Sequence, residues 1–215
     1  MAGVFFIPPA LKSISDGELF KKVFAIILRL VAIVFAIGAV VGWFTLWGLV
    51  FRLGGFFPVV GGIIFQLILV VTIYMVVHTV WIRADTIGSL PKAEFTVIPI
   101  GSILLRMTGE IYACFFIPLS IGGGIAMWFG GGSIMRNLER YSYMPPALDF
   151  LSGGGSSFLG GLMFMITGVV VAFMTLVFFY LLSELLVVTV DMARNLRATR
   201  EIAEGHRKPV EGMQH

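Results

Sequence analysis

Charged residues are scarce in this chain. Of its 215 residues, 13% are charged and 58% are hydrophobic. Because soluble domains carry about 25% charged residues, the deficit excludes an ordinary soluble globular protein and places most of the chain in a lipid bilayer. The net charge of +3 is also too small and too dispersed for a nucleic-acid-binding surface, so no nucleic-acid partner is expected.

Metal-binding and catalytic patterns are absent as well. The single cysteine, Cys114, excludes an internal disulfide and a cysteine metal cluster. His78 has no second histidine, cysteine or carboxylate at metal-ligand spacing, which is more typical of a hydrogen-bonded packing residue than of a ligand. The glycine-rich stretches lack the context of a phosphate-binding loop, and there is no credible Ser/His/Asp set or H-E-x-x-H motif. We therefore expect no enzyme activity, no metal and no cofactor.

What the chain does contain is a long apolar run from Gly160 to Val190. Glu184 is the sole acidic or basic residue in it, and the sequence then becomes polar and rich in arginine up to Glu204. A membrane-spanning helix needs about 20 apolar residues. The stretch therefore predicts one long helix that crosses a bilayer, continues into water and ends at Gly205, a residue type common at helix C-termini.

Three further apolar runs are long enough to span a membrane. The predicted fold is all-α, with four transmembrane helices arranged as two tandem helical hairpins. A capping box that begins at Ser15 predicts the first helix start. The predicted spans cover residues 23–50, 59–82, 100–129 and 158–190. The predicted regions are an interfacial segment (1–22), a first hairpin with its cytoplasmic connection (23–97), a second hairpin (98–190) with a long outer loop (130–157), and a cytoplasmic extension (191–215).

Glycine and proline positions indicate how these helices could pack. Gly38 and Gly42 form a G-x-x-x-G pair, which lets another helix backbone approach closely. Pro118 lies in the middle of the third span, shortly before Gly122, Gly123 and Gly124. Together these four residues predict close packing and a kink or a break in the third helix.

Lysine and arginine lie mainly on one side of the predicted membrane. The side with both chain termini and the 83–106 connection holds 12 of them, and the opposite side holds 3. The positive-inside rule therefore puts both termini in the cytoplasm. Arg194 and Arg197 follow the end of the fourth span, and Arg194 lacks the glutamate four residues later that Arg197 has. We expect both to contact anionic lipid headgroups, although a solvated helix end whose arginines only set topology is an open alternative.

Two parts of the chain align without gaps. Residues 73–85 match residues 179–191, with Tyr74 over Tyr180, His78 over Glu184 and Asp85 over Asp191. An arginine also opens the first helix of each pair, at positions 29 and 106. The alignment predicts a duplicated hairpin with a symmetry axis along the membrane normal. A chance match between apolar helices is the alternative.

The end of the fourth span carries a resemblance to a protein family. Glu184-Leu185-Leu186-Val187-Val188, followed by Asn195-Leu196-Arg197, is similar to the closing segment of a family of small, uncharacterised bacterial inner-membrane proteins with two helices. Asp191 stands where a basic residue would be expected. The resemblance implies a hairpin topology and a location in the bacterial inner membrane, and it implies no activity.

Five ionisable residues lie in the cytoplasmic third of the predicted spans. They are Arg29, His78, Arg106, Glu110 and Glu184. Such groups are costly in lipid and are candidates for function. One interpretation is a polar cluster that serves protons or ions. The other is structural, since an unpaired buried charge costs far more than a paired one, and it pairs Glu110 with one arginine and places Glu184 within salt-bridge reach of Arg106 or Arg29.

Two functions fit these patterns. The first is an integral-membrane structural or assembly subunit that packs against a membrane-protein partner or against copies of itself. The second is a small transporter or channel subunit that uses the charge cluster. A continuous polar path across the membrane would discriminate between them. The sequence places polar groups mainly on the cytoplasmic side, which favours the first function.

Overall fold

The computed structural model is all-α. It describes residues 18–52, 55–91, 97–130 and 158–211. These form four helices, α1 (Glu18–Arg52), α2 (Phe56–Gly88), α3 (Val97–Gly130) and α4 (Phe158–Glu211). Each helix is long and apolar enough to cross a membrane. The chain is therefore a multi-pass membrane protein, as its apolar runs predict.

α1 ends and α2 begins within the predicted connection between residues 50 and 59, whereas the end of α4 differs from the prediction. α2 begins directly after Gly55, whose φ of 89° lies in the left-handed region that glycine adopts without strain. α4 continues through Gly205 to Glu211, so the predicted end at Gly205 is wrong. A glycine inside a helix costs only about 1 kcal/mol, which the flanking turns offset. Ser15 and, apart from Gly130, the predicted outer loop lie outside the described residues.

α3 passes through Pro118 as one unbroken helix. Of the predicted kink or break, the break is therefore wrong and the kink stays a prediction. Proline has no N–H for the carbonyl of Cys114 four residues earlier, and its ring crowds that carbonyl. α2 and α4 both pack closely on α3. This packing holds the helix together where one backbone hydrogen bond is missing, because most helical stability in proteins comes from tertiary contacts.

The helices pack in chain order. α1 packs on α2, α2 on α3 and α3 on α4, whereas other pairs of described helices scarcely touch. The four helices thus form a row with α1 and α4 at its two edges. A buried apolar cluster joins α1, α2 and α3. Its residues are Leu28, Ala32, Val80, Ala84, Ile87, Ile100 and Met107.

One end of the row, which we call the basic end, contains the start of α1, the end of α2, the start of α3 and the Arg194 region of α4. Lys21 is 5% exposed there, and its Nζ donates to the carbonyl oxygens of Leu90 and Pro91 at 2.9 and 2.8 Å. Lys21 therefore bonds the start of α1 to the residues that directly follow α2. Its neighbour Lys22 is exposed.

Glycines bring α3 and α4 close together. A Cβ on Gly124 would lie 2.6 Å from the carbonyl oxygen of Gly161, and a Cβ on Gly123 would lie 2.7 Å from the ring of Phe164. Gly122 instead faces α2, where a Cβ would lie 3.2 Å from the side chains of Phe65 and Ile68. These glycines lie where neighbouring helices approach.

The G-x-x-x-G pair on α1 differs from these glycines. A Cβ on Gly38 or Gly42 would meet nothing within 4 Å in the described part of the chain, and both residues are exposed. The pair therefore faces away from α2. No other described helix packs closely on it.

Candidate functional site

Polar side chains from α2, α3 and α4 meet in the half of the row nearest the basic end. We call this set the charged network. It consists of Arg83 on α2, Ser102, Arg106 and Glu110 on α3, and Tyr180 and Ser183 on α4. The network links the two predicted hairpins and also links the two helices of the second.

Arg83 and Glu110 form an ion pair with two hydrogen bonds. Arg83 Nε donates to Glu110 Oε2 at 2.7 Å, and Arg83 Nη2 donates to Glu110 Oε1. The side chains are 24% and 16% exposed. This two-bonded geometry is the strongest form of arginine–carboxylate pairing and fixes the orientation of both groups. The pair therefore sets how α2 faces α3.

Tyr180 connects α4 to the two charges on α3. Its hydroxyl donates to Glu110 Oε1 at 2.6 Å. The guanidinium carbon of Arg106 lies 5.7 Å from the centre of the Tyr180 ring, which is a cation–π distance. Tyr180 thus contacts the carboxylate through its polar tip and the second arginine through its face.

Two buried serines complete the network. Arg106 Nε donates to Ser183 Oγ at 2.9 Å, and the hydroxyl oxygens of Ser183 and Ser102 are 2.8 Å apart. Ser183 is 0% exposed and Ser102 is 7% exposed. Small hydroxyl residues allow membrane helices to approach closely and to bond across the contact. Here the two hydroxyls are hydrogen-bonded to each other, and Ser183 holds Arg106 against α4.

The charged network carries an excess of positive charge, because it contains two arginines and one carboxylate. Within the described residues, Arg106 makes no salt bridge. Its contacts are the Ser183 hydroxyl and the Tyr180 ring. Its direct contacts are therefore neutral groups of α4, and the Glu110 carboxylate lies one turn away on α3.

Glu184 does not belong to this network. It is exposed on α4, and no salt bridge joins it to an arginine anywhere in the described part of the chain. The predicted pairing of Glu184 with Arg106 or Arg29 is therefore wrong. Successive helical residues point about 100° apart, so Ser183 occupies the face toward α3 and Glu184 faces outward.

Arg29 and His78 also lie elsewhere. Arg29 Nη2 donates to Asp85 Oδ1 at 2.6 Å, and the two side chains are 45% and 55% exposed. His78 is exposed and stacks on Tyr74 with ring centres 5.5 Å apart. Of the five ionisable residues singled out from the sequence, the structure brings only Arg106 and Glu110 into one network, with Tyr180 between them.

The sequence-based interpretation missed Arg83, Tyr180, Ser102 and Ser183. Arg83 lies directly after the second predicted span (59–82), although α2 continues to Gly88. One available signal was that Tyr180 and Ser183 are three residues apart and so share a helix face. No pattern within α2 indicates that the partner of Arg83 is on α3.

The two hairpins pack in different registers. Arg29 contacts Asp85 in the first hairpin, and the aligned positions in the second are Arg106 and Asp191. Arg106 instead contacts Ser183, which lies eight residues before Asp191, or about 12 Å along a helix. Aligned residues are thus not equivalent in the packing, and the contacts do not support the ungapped repeat.

A cavity of about 330 Å³ lies beside the charged network at the basic end. Ser102 lines it together with Asp191, Arg194 and apolar residues of α3 and α4. Arg194 has no glutamate four residues later. Its acidic neighbour is Asp191, three residues earlier, whose Oδ1 lies 4.0 Å from Arg194 Nη1. Arg194 and Arg197 are both exposed, and their contact with lipid headgroups stays a prediction.

No family model, curated protein or solved structure matches the chain. The resemblance of residues 184–197 to two-helix inner-membrane proteins stays a prediction.

Proposed function

We propose that this protein is a structural or assembly subunit of the bacterial inner membrane, with both termini in the cytoplasm and no catalytic activity of its own. The observation that carries the proposal is the Arg83–Glu110 pair with Tyr180 bound to it. These ionised groups are used to join three helices. A polar network of this kind specifies which helices are neighbours and in which orientation they meet.

The open row of helices supports an interaction role. α1 and α4 each have one close neighbour among the described helices. In lipid, helix association depends on close packing and polar contacts, because both helix and lipid surfaces are apolar. α1 exposes Gly38 and Gly42, and α4 exposes Glu184. These edges are suited to contact a membrane-protein partner or another copy of the chain.

Co-purification in a mild detergent tests this function. The tagged protein is isolated from its native membrane, and both the stoichiometry and the identity of its companions are measured by native mass spectrometry. We expect a complex of defined stoichiometry that survives Tyr74→Phe, a change on the exposed face of α2, and dissociates when Glu184 becomes Leu. A strictly monomeric protein would contradict the assembly role.

The bias of lysine and arginine to the basic end supports the proposed orientation. A reporter enzyme that is active only outside the cytoplasm, fused after His215, is expected to be inactive. The same reporter inserted after Gly55, at the opposite end of the row, is expected to be active and serves as the control. The reverse pattern would overturn the orientation.

Anionic lipid at the basic end is part of the proposal. Each basic residue near an anionic surface contributes about 1 kcal/mol. We expect anionic lipid in nanodiscs to raise the thermal stability of the wild type more than that of the Arg194→Gln/Arg197→Gln variant. Equal stabilisation of the two proteins would leave these arginines with a topological role only.

A second function, a small transporter or channel subunit, is favoured by one observation. Arg106 adds a positive charge between α3 and α4 whose direct contacts are neutral groups, and such a charge suits the passage of an anion. Chloride flux into proteoliposomes tests this. Flux that exceeds that of empty liposomes and is lost in Arg106→Gln would support transport, and flux equal to that of empty liposomes would exclude chloride transport.

A further inference from the structure

Two opposite charges lie unpaired at the two edges of the row. Glu184 is exposed on α4 and Lys22 is exposed on α1. In the described residues neither side chain makes a salt bridge. Ionisable groups in membrane segments almost always face a protein interior or a partner, so an outward carboxylate indicates that another molecule covers this part of α4.

The surroundings of Glu184 are apolar. Leu181 and Val188 share its face of α4 by helical spacing, three residues before it and four after it, and they are 60% and 53% exposed. Lipid tails offer no hydrogen bond to a carboxylate. The face therefore requires a partner that presents a donor or a positive charge at the depth of Glu184 and apolar side chains around it.

The opposite edge of the same molecule has this character. Leu19 and Ile26 flank Lys22 on one face of α1, at positions three before and four after it, and they are 42% and 54% exposed. Lys21 is turned inward and bonded to the end of α2, which leaves Lys22 on the outside. Arg29, one turn further along, is already bonded to Asp85.

Lys22 and Glu184 also lie at a similar depth. Lys21 bonds the carbonyl of Leu90, and Leu90 lines the cavity that Ser102 also lines. Ser102 in turn bonds Ser183, the residue before Glu184. These bonds and the shared cavity thus place the start of α1 and the Glu184 turn of α4 at the same end of the row.

We propose that copies of this chain associate edge to edge in the membrane, with α4 of one copy against α1 of the next and Glu184 paired with Lys22. The inference rests on the assembly role proposed above and names the partner as a second copy. All copies keep the same orientation in the membrane. Because the two contacting surfaces differ, the association is head-to-tail and either closes into a ring or extends as a row.

Cross-linking in the membrane tests this arrangement while keeping both charges. α1 and α4 run antiparallel, so Ile26 of one copy should face Leu181 of the next, one turn from the ion pair. In a Cys114→Ser background, the Ile26→Cys/Leu181→Cys variant is oxidised in native membranes. We expect a ladder of dimers and larger multiples. The single-cysteine variants should give none, because a head-to-tail contact does not bring identical residues together.

The matched control is Val34→Cys/Leu181→Cys. Val34 is 69% exposed, but it lies eight residues from Ile26, about 12 Å along the helix. No ladder is expected from it. Equal cross-linking in this control, dimers from either single variant, or no ladder from the Ile26/Leu181 pair would overturn the proposed contact.

Charge reversal tests the ion pair within the cross-linking variant. Lys22→Glu alone and Glu184→Lys alone should each reduce the ladder at least several-fold, and the two changes together should restore it. If neither single reversal reduces the ladder, or if the double reversal does not restore it, the proposed role of these charges is overturned. If the ladder is absent and another protein co-purifies, this inference fails and the assembly role stands. If neither is found, both fail.

Discussion

The guanidinium of Arg83 donates one hydrogen bond to each oxygen of the Glu110 carboxylate, and the Tyr180 hydroxyl donates a further one to Oε1. The three residues come from three different helices. A carboxylate held in this way has its charge matched and its hydrogen bonds largely supplied by the protein. Removal of one member therefore leaves the others partly buried and without their partners.

Glu110→Ala tests the coupling of the ion pair. Loss of one member of a buried pair costs about 3–5 kcal/mol, because the other charge is stranded. We expect a large drop in thermal stability in detergent, measured by unfolding of the purified protein. The Arg83→Met/Glu110→Met double variant should lose much less stability than the single Glu110→Ala variant. Additive losses would show that the two side chains act independently.

Tyr180→Phe removes a single hydroxyl from the network. A hydrogen bond to a charged group contributes about 1.5–3 kcal/mol, so we expect a moderate loss of thermal stability. Tyr74→Phe is the matched control, since Tyr74 is 66% exposed and stacks on His78. In a Glu110→Ala background the Tyr180→Phe change should have little further effect. A full loss in that background would mean that the hydroxyl acts through another group.

The four membrane-spanning helices of the described residues could be predicted from the sequence, because a bilayer requires about 20 apolar residues in each span. The rotation of each helix could not. A membrane helix is apolar toward lipid and toward protein alike, so hydrophobic periodicity does not indicate which face is inward. Ser183 and Glu184 illustrate this, since the more polar residue was expected inside and the structure buries the serine.

The partners of the charged residues could not be predicted from the sequence either. Glu110 was expected to bind an arginine of the predicted cluster, but it binds Arg83, which follows the apolar run of its own helix. The choice depends on which helices are neighbours, and that information comes from contacts far apart in the chain. Lys21 and Lys22 show the same limit, because they are adjacent in sequence but one is buried and the other exposed.

The glycines of α3 and α1 are expected to respond differently to alanine. A methyl group on Gly124 would lie 2.6 Å from the backbone oxygen of Gly161, and α4 cannot yield without moving away from α3. Overpacking costs about 1–3 kcal/mol, so Gly124→Ala should lower thermal stability. Gly38→Ala meets nothing within 4 Å among the described residues and should leave it unchanged. Equal effects at both positions would contradict the close contact of α3 and α4.

Gln66 offers the opposite test, a polar residue whose removal should not harm the fold. It is 1% exposed on α2, and its Oε1 has no hydrogen-bond partner within the described residues. Its Nε2 reaches the Trp43 carbonyl only at 3.4 Å, and Trp43 Nε1 donates to the Gln66 backbone oxygen at the same distance. The Gln66 side chain thus makes one weak hydrogen bond through Nε2, while its buried Oε1 accepts none among the described residues.

Gln66→Met keeps the volume of the side chain and removes its polar groups. A buried polar group without a partner costs about 1–3 kcal/mol, so we expect thermal stability to be equal to or higher than that of the wild type. Gln66→Glu, which adds charge at the same position, should lower it strongly and serves as the control for burial. A clear loss of stability in Gln66→Met would contradict this account and show that the polar groups of the side chain contribute to the packing of α1 and α2.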